Sequence, residues 1–256
     1  YLKWIEYDAI ILHYTLLSLR WESRLWPLLS KALATFKETR AIKIAMPQDE
    51  YAETAHLCTL FKECGIDTVY TCAYPIDYQT LYPQKETGLK NYFTTTTGFV
   101  DENTLHLLNK KSAQENPRTI DIGYRARAVP FWLGEFGTTK AEIARVFNQW
   151  KPKTSLHLDI STDPKEVFLG DEWIEFLLRC RTMLGCLGGA SLIDSDGTIR
   201  KKTDAYVAEH PDASFAQVKE QCFANKDNTL HLFALSPRHF ECAMAKTCQI
   251  LLEGDY

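Results

Sequence analysis

No run of about 18 apolar residues occurs anywhere in the chain, so the sequence holds no candidate membrane-spanning helix. The N-terminus also lacks the charged-then-apolar pattern of a secretory signal. No Cys-x-x-Cys pair is present. Cys58, Cys64, Cys72, Cys180, Cys186, Cys222, Cys242 and Cys248 stand singly in apolar contexts, which fits reduced core thiols in a cytosolic protein better than disulfides or zinc ligands. A basic excess is missing too: the net charge of -4 argues against nucleic acid as the principal partner, while leaving room for a local basic pocket. The Gly-x-Ser-x-Gly, P-loop and His-Glu-x-x-His patterns are absent, which removes the common hydrolase, nucleoside triphosphatase and zinc protease classes. What remains is a chain of 256 residues, 45% hydrophobic and 24% charged, with room for one large domain or two medium ones.

The apolar pattern alternates between strand and helix. Asp8–Tyr14 (DAIILHY) is a continuous apolar run, the signature of a parallel strand buried on both faces. Arg20–Glu38 reads as one helix with Trp21, Trp26, Leu28, Leu29, Leu33 and Phe36 on its core face. Arg40–Met46 is the next strand, Ala52–Cys64 a helix closed by Gly65, and Asp67–Cys72 a third strand. Weaker signals give a short helix at Ile76–Leu81, a strand or loop at Phe93–Gly98, and a helix at Asp101–Lys111. The polar stretch Lys111–Arg118 holds a proline and is the expected linker, dividing an N-terminal lobe, 1–115, from a C-terminal lobe, 116–256. In the second lobe Thr119–Tyr124 restarts the strand pattern. It is followed by a helix at Lys140–Asn148, a strand at Thr154–Ile160, a helix at Asp171–Arg181 and a glycine-rich turn at Cys186–Ala190. Two helices, Lys202–His210 and Phe215–Ala224, come next. The expected fold class is therefore α/β, with two Rossmann-like lobes. Both ends read as cut, because the chain opens on an amphipathic fragment, Tyr1–Tyr7, and stops just past a strand.

The last 29 residues concentrate the chemistry. An apolar segment, Leu230–Leu235, leads through Ser236-Pro237-Arg238 into an amphipathic run, His239–Lys246, and a second apolar segment, Cys248–Leu252. Ser236 is placed to cap the helix, and Pro237 suits its first turn because the N–H it lacks would be orphaned there. Free N–H groups, the positive helix end and Arg238 together form a phosphate seat, with Glu241 one turn further in and His239 beside Arg238. The plainer alternative is a helix start with Arg238 solvated and Glu241 facing water.

The segment SPRHFECAMAKTCQILLEG resembles the donor-binding stretch of nucleotide-sugar glycosyltransferases of the GT-B fold, in particular bacterial surface-polysaccharide enzymes. Glu241 matches the second glutamate of that family's pair, and Phe233 stands where the first would be. The resemblance implies two Rossmann-like lobes facing across a cleft and a nucleoside diphosphate sugar as co-substrate. It further implies a glycan or lipid-linked acceptor, and a place in the cytoplasm or at the inner face of the membrane. It also implies that Arg125 and Lys140 hold the diphosphate, after the first strand of the second lobe, while Arg127 reads as a surface residue. Gly188 and Gly189 allow backbone N–H groups to approach an anion or a base. Asp194-Ser195-Asp196-Gly197 follows them, and the turn reading of this acidic stretch outweighs a metal site, so neither metal nor other cofactor is expected. For the general base that an inverting transfer needs, Asp49, Glu50 and His13 are the candidates, although Asp49 or Glu50 can equally cap the helix that starts near Ala52. A nucleotide-sugar epimerase of the same shape, and a non-catalytic degenerate scaffold, are the alternatives.

Overall fold

The computed structural model describes residues 5–112, 117–153 and 155–256. The expected boundary at 115/116, residues 113–116 of the expected linker, Thr154 and the first four residues lie outside the described residues. In chain order the elements are β1 (Ala9–His13), α1 (Tyr14–Leu17), α2 (Trp26–Leu33), β2 (Ile42–Met46), α3 (Thr54–Cys64), β3 (Thr68–Thr71), α4 (Tyr78–Leu81), α5 (Gln84–Thr87) and β4 (Asn91–Thr94). They continue as α6 (Glu102–Ser112), β5 (Ile120–Arg125), α7 (Glu135–Trp150), β6 (Leu158–Ser161), α8 (Asp171–Arg179), β7 (Cys180–Gly185) and β8 (Gly188–Ala190). The last are α9 (Thr198–Glu209), α10 (Phe215–Phe223), β9 (Leu232–Ala234), α11 (Pro237–Met244) and β10 (Cys248–Leu251).

These elements form two compact units, and the chain passes between them more than once. The first unit comprises Tyr1–Thr95, Phe131–Glu135 and Gly189–Phe233; the second comprises Thr96–Pro130, Phe136–Gly188 and Ala234–Tyr256. The stretch 189–233, expected in the C-terminal lobe, thus clusters with the N-terminal segment.

The first unit holds a parallel sheet in the order β1-β2-β3-β4. Strands laid down in sequence order, each joined by the right-handed crossover that parallel pairs adopt, send every connecting segment to one face. The opposite face stays open. Burial alternates along β1 and β2, with Ile10, Leu12 and Ala45 buried while Ile11 (58%) and Ile42 (59%) are exposed. The expectation that DAIILHY is covered on both faces is therefore corrected: the strand order leaves one face uncovered.

The single helix expected over Arg20–Glu38 is also broken. Arg20 is buried and its guanidinium donates to the carbonyls of Leu17, Gln48, Asp49 and Ala52. The chain there forms a tight 3-10 turn, and Pro27 then opens a new helix in which Leu28 is 70% exposed. A buried acid lies near that arginine. Glu50 Oε1 accepts from the Tyr82 hydroxyl at 2.7 Å and Oε2 from the Cys72 N–H at 3.0 Å.

The second unit holds a parallel sheet in the order β10-β7-β5-β6. From β5 the chain steps one way to β6, then returns past β5 to β7 and on to β10. Crossovers in the two directions land on opposite faces, so they diverge above the C-terminal ends of β5 and β7 and leave a crevice there. At its N-terminal end α8 runs on from Gly170, and at its C-terminal end Cys180, in extended conformation, turns it straight into β7. This corrects the expected helix to Arg181 and makes Cys180–Gly185 a strand.

Burial pushes the Glu50 carboxyl up to about 7 from an ordinary 4.5, with the Thr71 and Tyr82 hydroxyls, the Cys72 N–H and Arg20 holding it back. A raised folded value means that Glu50 contributes its full stability below about pH 4.5 and loses it as pH climbs through about 7, on the order of 3 kcal/mol in all. Urea denaturation at several pH values between 4.5 and 7.5 is expected to show that decline in the natural sequence and a flatter profile in Glu50→Gln. Identical slopes in the two proteins would remove Glu50 as the cause.

Candidate functional site

A cavity of about 530 Å³ opens in the second unit where the strand order reverses. Its floor is the C-terminal end of β5 (Tyr124, Arg125) and of β7 (Gly185), continued by Ala126, Arg127 and Cys186. Ser236, Pro237, Arg238, His239 and Glu241 bring the first turns of α11 to it, and Lys140 arrives from α7. Phe168 and Trp173 add aromatic wall. Open parallel sheets place ligands at such a reversal, and the volume is that of a small-molecule site.

The start of α11 is organised around His239. Ser236 is the extended N-cap, Pro237 occupies the first helical position, and His239 returns its side chain to the cap. The Ser236 N–H lies 3.1 Å from His239 Nδ1, and the Ser236 carbonyl, 3.0 Å from the same nitrogen, already accepts the His239 N–H at 3.0 Å. Only the Ser236 N–H still needs a partner, which assigns Nδ1 as acceptor and puts the ring proton on Nε2. His239 is 8% exposed, and Nε2 is buried with no hydrogen-bond partner among the described residues. Burial lowers the pKa of His239, so the ring is a neutral donor at pH 7. A Cβ on Gly185 would stand 2.7 Å from Leu251 Cδ2 and 3.3 Å from that nitrogen, so the glycine lets β7 pass close to the ring and to Leu251.

Arg238 presents a second unmet donor. Its guanidinium carbon lies 5.6 Å from the Tyr124 ring centre and 5.3 Å from that of Trp173. Its Nε is buried without a hydrogen-bond partner among the described residues. An orphaned buried N–H costs about 1–3 kcal/mol, and more where it carries charge, so two such nitrogens on neighbouring residues that line one cavity mark this helix start as a place where polar demand is unmet. Glu241 is held in place from the side: Trp173 Nε1–H donates to its Oε2 at 2.9 Å. Lys140 sits in the second turn of α7, which begins five residues earlier than the sequence predicts, and its carbonyl accepts the Tyr124 hydroxyl at 3.2 Å. The Cys186 thiol is raised by burial and drawn back by the adjacent Lys140 charge. Four cationic side chains and one carboxylate thus line the cavity, which favours an anion.

Arg125 lines the floor but is committed elsewhere. Its Nε donates to the Glu166 carbonyl, Nη1 to the carbonyls of Tyr124 and Asp159, and Nη2 to Asp159 Oδ1 at 2.7 Å. Phe168 and Phe176 pack within 4.7 and 4.6 Å of its guanidinium carbon. It braces β5 against β6, while the exposed Arg127, expected to be a bystander, lines the same cavity.

The remaining sequence candidates are not among the residues that line this cavity. Gly189 adopts φ +140, and a Cβ there would stand 1.7 Å from the Leu232 carbonyl oxygen, so close pairing of β8 with β9 requires the glycine. Gly188 borders Lys140, whose Nζ is 3.6 Å from where its Cβ would be. Neither glycine cradles the cavity, which corrects the expected anion role. In the first unit Glu50 is fully buried with both carboxylate oxygens engaged, which suits a core brace rather than an acceptor-facing base. Asp49 sits in the left-handed region (φ 51), its carboxylate accepting the Tyr51 hydroxyl at 3.0 Å. Neither caps α3, whose N-cap is Glu53. His13 is exposed and caps α1 through Nδ1, 3.4 Å from the Thr15 N–H. Asp194 accepts the N–H groups of Ile199 and Arg200, and Asp196 that of Thr198, so both carboxylates serve the start of α9. Among the described residues no group of three or more His, Cys, Asp or Glu side chains is arranged to hold a metal ion. Trp173, Tyr124, Cys186 and Gly185 were not legible as site residues, because their role depends on which strand ends become neighbours.

Replacing Arg125 with Met is expected to cost about 3–5 kcal/mol of stability, the loss typical of breaking a buried ion pair on one side. Urea denaturation checks this, and a loss under about 1 kcal/mol would return Arg125 to ligand duty. No protein-family profile, no curated protein and no solved structure matches the chain.

Proposed function

We propose that the chain is a glycosyltransferase that moves a sugar from a nucleoside diphosphate sugar to a glycan or lipid-linked acceptor. In this reading the two units are the two Rossmann-like lobes of a GT-B enzyme of the surface-polysaccharide type. It works in the cytoplasm or at the inner face of the membrane. The observation that carries the reading is the pair of buried side-chain nitrogens with no hydrogen-bond partner among the described residues, Arg238 Nε and His239 Nε2, on two residues that line a cationic cavity at the strand-order reversal.

The chemistry follows from the charges. As the bond between the sugar and the diphosphate breaks, negative charge builds on the leaving oxygen, and fixed donors aimed at it lower the barrier. Arg238, the neutral His239 and Lys140 are those donors. With these side chains supplying the positive charge and hydrogen bonds, the reaction needs no divalent ion. Trp173 holds one oxygen of Glu241, which leaves the other for a hydroxyl of the ribose or the donor sugar. Tyr124, Phe168 and Trp173 give the apolar part of the nucleotide a surface to pack on. In the first unit Asp49 is the remaining candidate for the base.

A second reading is favoured by the burial of Glu50, which leaves the acceptor side poorly equipped: a chain that binds the donor without transferring its sugar. A nucleotide-sugar epimerase is the third reading, and it consumes donor with no acceptor present.

Calorimetric titration with uridine, guanosine, adenosine and cytidine diphosphates is expected to find one-site binding for at least one of them. Arg238→Ala should weaken it about 10- to 100-fold, the worth of a charged hydrogen bond, while leaving thermal stability equal or slightly raised because an unmet buried N–H is removed. Equal affinity in the two proteins, or no binding of any diphosphate, would discard the reading. Asp49→Asn should spare donor binding and reduce transfer.

A further inference from the structure

The first unit has a cavity of its own, of about 600 Å³, bounded by the 3-10 turn Ser18–Trp21, the start of α2, the first turn of α3 and one face of α9. Its charges balance. Arg20, Arg200 and Lys201 stand against Glu53, Asp196 and Asp204. Several are already neighbours: His56 Nδ1 lies 3.4 Å from Glu53 Oε2, and Arg200 Nε 3.8 Å from Asp204 Oδ2. A wall of this kind gives a strongly charged ligand no net attraction, in contrast to the cationic cavity of the second unit. It does offer many donors and acceptors at close spacing.

Two indoles complete the enclosure. Trp21 is 36% exposed, with the Arg20 guanidinium carbon 4.3 Å from its ring centre. The buried Trp26 ring lies 6.1 Å from that of His56. Arg20 is itself 1% exposed and pinned by backbone carbonyls, so the Trp21 ring is backed by a fixed plane.

We propose that this cavity is a binding site for a neutral saccharide. A pyranose has an apolar C–H face that packs on an aromatic ring. Its rim of hydroxyls, each both donor and acceptor, is met by interleaved guanidinium, ammonium and carboxylate groups. Gly197, Arg200, Lys201 and Asp204 share one face of the start of α9, so a ring stacked on Trp21 reaches both signs of charge from one helix. The site is built from first-unit residues alone and does not rest on the reading of the other cavity.

The test is titration of the full chain with maltotetraose, cellotetraose, chitotetraose and xylotetraose, followed by tryptophan fluorescence and calorimetry, with a hyaluronan tetrasaccharide as the charged comparison. Saturable binding of at least one neutral oligosaccharide is expected, about tenfold weaker in Trp21→Ala and several-fold weaker in Asp204→Ala, a surface change that leaves the core untouched. Binding should be indifferent to a saturating nucleoside diphosphate. The proposal is overturned if no neutral oligosaccharide binds, if only the charged one does, if Trp21→Ala binds as well as the natural sequence, or if the nucleoside diphosphate displaces the sugar.

Discussion

The direction in which parallel strands are added decides where this molecule can be open. A right-handed crossover is close to obligatory, so a sheet extended in one direction stacks its connections on one side, and a sheet extended in both directions splits them. The second unit is of the split kind. Its reversal at β5 and β7 separates the crossovers and opens a crevice lined by Tyr124, Arg125, Gly185 and Cys186. The first unit is of the one-directional kind, which leaves Ile11 and Ile42 uncovered. Its cavity forms instead among helices and turns at its side.

Among the described residues of the second unit, buried side-chain N and O atoms have hydrogen-bond partners except at Arg238 and His239. Arg125 is saturated by carbonyls and a carboxylate, Glu241 is tied to Trp173, and Arg118 reaches the Ala245 carbonyl at 2.8 Å and the Thr247 hydroxyl at 3.0 Å. Against that background two side-chain donors at one helix start have no partner among the described residues. Strain of this sort is kept where something else relieves it. Glu241 is the one carboxylate among the residues that line the cavity.

Much of the architecture could be read from the chain. The runs IKIAM and TIDIGY form strands where their apolar pattern places them, although it is Ile120 and Ile122 that are buried in the second and Ala45, not the flanking isoleucines, in the first, and Ser-Pro-Arg starts a helix for the capping reasons that the residues themselves supply. Less legible was β7, because α8 enters it with no intervening turn and the pattern changes period without punctuation. Of the residues that line the cavity, Arg238, His239, Glu241 and Ser236 could be named from local sequence, and Lys140 through the resemblance. Trp173 could not, since its partner is 68 positions away and the amphipathic helix that carries it looks like any other. Arg125 and Arg127 both line the cavity, and what local reading could not show is that Asp159 on the neighbouring strand engages the Arg125 guanidinium.

The first unit is assembled from three separated stretches of chain, and Leu230 and Leu232 belong to the same buried cluster as Ile10, Leu12, Val69 and Leu89. During synthesis the N-terminal third therefore leaves the ribosome with its core unfinished. It must wait while the intervening segment emerges, since contacts so far apart in sequence are slow to close and expose apolar surface meanwhile. The final stretch, 234–256, then returns to the second unit, so neither half can ripen without residues translated after most of the other.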